Sequence, residues 1–172
     1  MVINMYKKSN KILVMYYSKT GNTKKLAQII AKGVEEVKEV ECILKAASDV
    51  SKDDFILSSG IIAGSPVYFG TMAAELKDVF DRYVNVRSKM GDKIGAAFVT
   101  AGDESGGKET TIMSILQAFL IYGMIVVGDP LDATGHYGVA CTGRPDKETS
   151  DNAIKLGRRV AQLVNKVTFS PP

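Results

Sequence analysis

The chain has 172 residues, 45% of them hydrophobic, and a formal net charge of +3. That describes one domain over 1–172, large enough to cover both faces of a sheet. Its lysines and arginines are scattered, which argues against a nucleic-acid partner, since that needs basic residues gathered on one face. One histidine, two cysteines and no Cys-x-x-Cys leave no basis for a His/Cys metal centre.

Residues 1–10, MVINMYKKSN, lack the apolar core of a signal peptide and read as an N-terminal extension, so a cytoplasmic location is expected. Lys7, Lys8 and Lys11 form its solvated basic group. Lys11–Tyr17 is apolar and β-branched or aromatic, as a strand is, and Leu26, Ile29, Ile30, Val34 and Val37 then recur at helical spacing within a helix from Thr23 to about Lys38. Val40–Leu44 is a second strand. Ser51–Asp54 opens a short helix, Gly60–Ala63 is a third strand, and Gly64–Thr71 is a loop before a helix from Met72 to Tyr83. Lys93–Thr100 gives a fourth strand, Ala101–Gly107 a polar loop, and Glu109–Tyr122 a helix. Met124–Val127 is a fifth strand, an irregular stretch follows, and Lys147–Lys166 closes the chain as a helix.

Two segments need a decision. The uncharged run Ile112–Gly128 approaches the length of a membrane span, but its helical stripe breaks at Tyr122-Gly123 and turns β-branched, so a buried helix and strand are expected, with no membrane insertion. Cys42 and Cys141 each lie in apolar, β-like surroundings, as buried free thiols of a reducing compartment do. Short apolar strands alternating with helices specify an α/β protein with a parallel sheet covered on both sides. Ligands of such sheets sit beyond the carboxyl ends of the strands.

Three loops at that edge are unusual. Ser18, Lys19, Thr20, Gly21, Asn22 and Thr23 join a strand to a helix start, where free backbone N–H groups and the helix dipole favour an anion and three hydroxyls can donate to it. The alternative is a plain capped turn with Asn22 or Thr23 as N-cap. No Walker-type or G-x-G-x-x-G loop occurs. Pro66, Val67, Tyr68, Phe69 and Gly70 place two aromatics at a strand end, where a flat apolar ligand could lie against them, or where Phe69 staples the loop to the next helix. Thr100, Ala101, Gly102, Asp103, Glu104 and Ser105 supply small residues through which backbone groups can meet the edge of a ring. The three together match a phosphorylated tricyclic ring.

From Lys11 to Val164 the chain resembles flavodoxin-like FMN proteins, and more closely the tryptophan-repressor-binding-protein (WrbA) family of NAD(P)H:quinone oxidoreductases. The markers are Tyr17-Ser18 with Gly21, Gly64-Ser65-Pro66 followed by Phe69–Ala73, Gly106–Thr111, Gly123-Met124 and Tyr137-Gly138. The resemblance implies a doubly wound five-stranded parallel sheet of order 2-1-3-4-5, FMN as cofactor, NAD(P)H as reductant and a homo-oligomer. By it, Ser18–Thr23 hold the phosphate, Val67–Phe69 and Thr100–Ser105 border the isoalloxazine, and Tyr122 stands where the family often has a flavin-contacting histidine. The chain departs from the family in having no tryptophan, in the short segment Val84–Ser88, and in a short region from Leu44 to Phe55.

Two activities fit this pattern. One is an enzyme passing two electrons from NAD(P)H to a quinone, with the cofactor carrying the chemistry. The other is a flavodoxin-type carrier shuttling single electrons between protein partners; a binding module using FMN only for shape has little support. Asp103 and Glu104, near the ring, would lower its potential and suit a carrier, whereas carriers are usually strongly acidic and this chain is not. The lone His136 is either an ordinary surface residue or, where the resemblance implies that its loop approaches the flavin's outer face, of its own or a neighbouring subunit, the catalytic side chain that hydrogen-bonds or protonates a quinone oxygen.

Overall fold

The computed structural model describes residues 10–167. Its strands are β1 (Asn10–Tyr16), β2 (Val40–Ala46), β3 (Gly60–Tyr68), β4 (Thr71–Met72), β5 (Ile94–Ala101), β6 (Ile125–Val126) and β7 (Val139–Thr142). The helices are α1 (Asn22–Glu35), α2 (Lys52–Leu57), α3 (Ala74–Arg82), α4 (Lys108–Ile121) and α5 (Lys147–Lys166). Lys7, Lys8 and most of the proposed extension lie outside the described residues; Lys11 is paired with Glu41 at 3.2 Å.

The parallel sheet runs β2-β1-β3-β5-β6, the doubly wound order expected. Period-two alternation sends neighbouring residues to opposite layers. Leu13 and Met15 of β1 pack with Ile61 of β3 and with Leu76, Phe80 and Phe119 of α3 and α4. Ile12 and Val14 pack instead with Leu26 and Ile30 of α1 and Leu156 and Val160 of α5. Burial on both faces explains why these strands read as unbroken apolar runs. The uncharged stretch resolves into α4, a glycine turn at Gly123 with φ of 77°, and β6. Among the described residues, no helix is long and apolar enough to cross a membrane.

Two elements differ from the sequence reading. β3 continues through Ser65–Tyr68 and folds back onto β4, with Val67 opposite Met72, so α3 begins at Ala74. The fifth strand position is split: Ile125 and Val126 pair with Ile94 and Gly95, the chain leaves the sheet over residues 127–138, and β7 then pairs Val139 with Phe98 and Thr142 with Ala101. The stretch read as irregular therefore contains the carboxyl half of the last strand. A four-residue strand cut off from its first half carries too little pattern to be recognised.

Candidate functional site

The first loop ends at Gly21, which is the N-cap of α1 in a left-handed conformation (φ 96°) and makes no side-chain cap. Neither Asn22 nor Thr23 caps the helix, so the plain-turn alternative is not what forms. Gly21 N–H donates to Ser18 Oγ at 3.1 Å, which curls the loop, and a Cβ at Gly21 would meet nothing within 4 Å. The first-turn N–H groups, lacking a capping side chain, leave the positive helix end open to an anion. Thr20 is exposed, whereas Thr23 is buried and hydrogen-bonds Thr100 at 2.8 Å through its hydroxyl.

The second loop is a hairpin tip. Phe69 (φ 51°) and Gly70 (φ 74°) both have positive φ, the signature of a type I′ turn, a turn that favours Asn-Gly. A phenylalanine in the left-handed region is strained by about 1–2 kcal/mol. It also staples nothing, because its side chain is fully exposed. Below it, buried Ser65 fixes the hairpin base: its hydroxyl accepts from Ala73 N–H at 2.8 Å and donates to the Pro66 carbonyl at 2.7 Å. Strain of this kind persists where the surroundings over-determine it, and it clusters at ligand sites.

The third loop turns through a hydrogen bond from Gly106 N–H to the Asp103 carbonyl at 3.2 Å and enters α4 at Gly107. The three loops are tied together. Thr23 and Thr100 join the first to the third. Tyr17 N–H donates to the Gly64 carbonyl at 3.0 Å and the Tyr17 and Tyr68 rings meet edge-on at 6.4 Å, joining the first to the second. A Cβ on Gly107 would lie 2.9 Å from Gly70 Cα, so the second and third abut where neither has a side chain. The Glu75 carboxylate beside the Tyr17 hydroxyl pushes that phenol up to about 12.

Two of the expected roles, those of Tyr122 and Glu104, need correction. Tyr122 lies at the opposite end of the sheet: it caps α4, it is buried, its hydroxyl donates to the Phe80 carbonyl at 2.6 Å, and its ring packs on Phe55 and Phe80. Helix α4 runs back toward the amino edge, so its last turn does not reach the site at the carboxyl edge of its own chain. Glu104 does not act as a free charge, because Lys108 Nζ holds its carboxylate at 2.9 Å and keeps it below the usual carboxylate range. His136 is exposed on the 127–138 excursion at the sheet's far edge, outside the three-loop cluster of its own chain, and lines a cavity together with Lys108. Lys108, one residue beyond the third loop, pairs with a loop carboxylate that the sequence reading left free; its spacing of four from Glu104 was the available signal.

The residues present fit a phosphorylated flat ring. An open helix start with exposed Thr20 suits the phosphate, and exposed Phe69 with the half-buried Tyr68 and Tyr17 offers aromatic surface beside it. The thiols take no part: Cys42 and Cys141 are free, with burial pushing them up to about 12 and about 11.

Comparison with known proteins agrees with this geometry. A family model described as NADPH-dependent FMN reductase matches residues 51–137. A flavodoxin of Aquifex aeolicus is 35% identical over 161 residues, covering 90% of this chain and 86% of that protein. An NAD(P)H dehydrogenase (quinone) of Archaeoglobus fulgidus is 32% identical over 188 residues, covering 91% of this chain and 98% of that protein. Among solved structures, a flavodoxin from the domain Archaea superposes with a TM-score of 0.76 at 28% identity, over 90% of this chain and 99% of that one. A WrbA-like flavodoxin from Agrobacterium tumefaciens superposes with a TM-score of 0.78 at 21% identity, over 92% and 99%, a likeness of fold.

Proposed function

The chain belongs to the flavodoxin-like NADPH-dependent FMN reductase family, and from that premise we propose that it is an FMN-dependent oxidoreductase of the WrbA kind, moving two electrons from NAD(P)H to a quinone in the cytoplasm. FMN, when bound, supplies the hydride and electron chemistry. The protein supplies position and charge. The open start of α1, with Ser18 and Thr20 beside it, takes the phosphate; Tyr68 and Phe69 face the ring system; the backbone of Thr100–Ser105 meets its polar edge. Phe69, strained and exposed, is the side chain best placed to shield the ring from water on the solvent side.

The observation that favours the enzyme over a single-electron carrier is the Lys108–Glu104 pair. A carrier of low potential needs uncompensated negative charge by its ring, and here the ammonium offsets one of the two acidic side chains of that loop, leaving Asp103 alone. A net charge of +3 likewise lacks the acidic docking surface of such carriers. The flavodoxin name carried by the Aquifex relative keeps the carrier as the competing reading. Steady-state oxidation of NADH or NADPH by the FMN-loaded protein, with a small quinone as acceptor, tests the proposal.

A further inference from the structure

Strand β2 is the outermost strand on its side of the sheet, and among the described residues nothing pairs with its free side. Its ladder to β1 runs unbroken from Val40 opposite Asn10 to Ala46 opposite Tyr16, so the free side presents backbone N–H and C=O groups along a strand of regular geometry. Edge strands of that length are usually blunted by a proline, a bulge or a run of like charge. The segment Val40–Ala46, VECILKA, has none of these, and Leu44 stands exposed on it.

The order of its side chains is self-complementary. Laid antiparallel against a second copy about a two-fold axis at Ile43, Glu41 faces the partner's Lys45, Val40 the partner's Ala46, Cys42 the partner's Leu44, and Ile43 its own equivalent. Moving the axis one residue either way sets Ile43 against Glu41 or against Lys45. Period two puts both charged pairs on the face of Ile43, which packs in the layer of Leu13 and Met15, and leaves only apolar pairs on the face of Val40 and Cys42, which pack with Leu26 and Ile30. Glu41 already holds Lys11 at 3.2 Å, and Lys45 holds Asp54 at 2.7 Å. Across the axis these become a row of alternating sign: Lys11, Glu41, the partner's Lys45, the partner's Asp54. We propose that β2 is a docking edge for a second copy of this chain, which makes one sheet continuous through a two-fold dimer. The two sheets then run antiparallel, so their carboxyl edges point to opposite ends and neither three-loop cluster is covered.

The test is sedimentation equilibrium of the FMN-loaded protein, with hydrogen exchange read at low and high concentration. A concentration-dependent dimer is expected, with the amides of Val40–Ala46 slowed as it forms. Glu41→Lys sets lysine against lysine twice across the axis, Lys45→Glu sets carboxylate against carboxylate, and each should loosen the dimer about tenfold. An equimolar mixture of the two single variants restores opposite charges at both positions and should recover the native affinity, as should the double variant Glu41→Lys with Lys45→Glu. A native protein that stays monomeric at about 1 mM overturns the proposal without any variant, since an association weaker than that is worth only about 4 kcal/mol. So does slowed exchange along β2 in the monomer, which would assign the edge to a segment of the same chain. An oligomer unmoved by both single variants, or a mixture no tighter than either, overturns it as well. Turnover per subunit is read separately and does not depend on this contact, so a failure here is distinguishable from a failure of the redox reading.

Discussion

Thr23, in the first turn of α1, and Thr100, near the end of β5, share a buried hydrogen bond of 2.8 Å between their hydroxyls. This bond crosses from the loop suited to a phosphate to the loop suited to a ring edge, so it sets the distance between the two halves of the site. Thr100→Val keeps the shape, removes one hydroxyl and leaves Thr23 buried without its partner. A loss of about 1–2 kcal/mol in stability is expected, with weaker binding of both FMN and riboflavin, as measured by thermal melts and flavin fluorescence. Thr20→Ala should differ: it leaves the fold intact and weakens FMN more than riboflavin, because only FMN carries the phosphate.

The turn at Phe69-Gly70 places a fold preference against a ligand preference. Phe69→Asn suits the type I′ geometry and should stabilise the flavin-free protein by about 1 kcal/mol. It also removes the exposed ring and should weaken FMN. Denaturant melts of the flavin-free protein and FMN titration check both halves; tighter flavin binding by the variant would mean that Phe69 does not touch the ligand.

Lys108→Met releases Glu104 from its ion pair and places a second negative charge in the third loop. The flavin midpoint potential should fall, more at low salt than at high salt. Asp103→Asn should move it the other way. Redox titrations at two ionic strengths read both changes.

Asp129 makes the protein's stability depend on pH in the less common direction. Burial raises its folded-state carboxyl to about 6 from the ordinary 3.8, so between those values the native state binds more protons than the unfolded state and stability falls as pH rises. Asp129→Asn should therefore stabilise the protein at pH 7 by about 1–2 kcal/mol, less than full desolvation would give because the charges of Arg159 and His136 offset part of it. The gain should fade toward pH 4, as followed by melts across that range.

Much of this arrangement was legible in the sequence because the signals were periodic or local. The helical stripe behind Leu26 and Ile30 and the apolar runs of β1, β3 and β5 record burial on both faces of a sheet, and the clustered hydroxyls of Ser18–Thr23 mark a helix start. The misreadings have a common cause in tertiary context. Phe69-Gly70 lacks the asparagine that announces a type I′ turn, so the hairpin β3-β4 reads as loop. The split of the last strand depends on Val139–Thr142 finding Phe98–Ala101 after an excursion, which no local window contains. Tyr122 was assigned by likeness to a flavin contact, whereas α4 ends in a core of Phe55, Phe80 and Phe119 at the other edge of the sheet.

The most direct measurement is turnover by the purified, FMN-loaded protein with NADH or NADPH and a small quinone under steady-state conditions. Two-electron transfer through one flavin site predicts sustained oxidation of a nicotinamide with parallel-line, ping-pong kinetics as both concentrations are varied. No turnover with either nicotinamide, together with a redox titration resolved into two well-separated one-electron steps, would contradict it and assign the chain to the single-electron carriers.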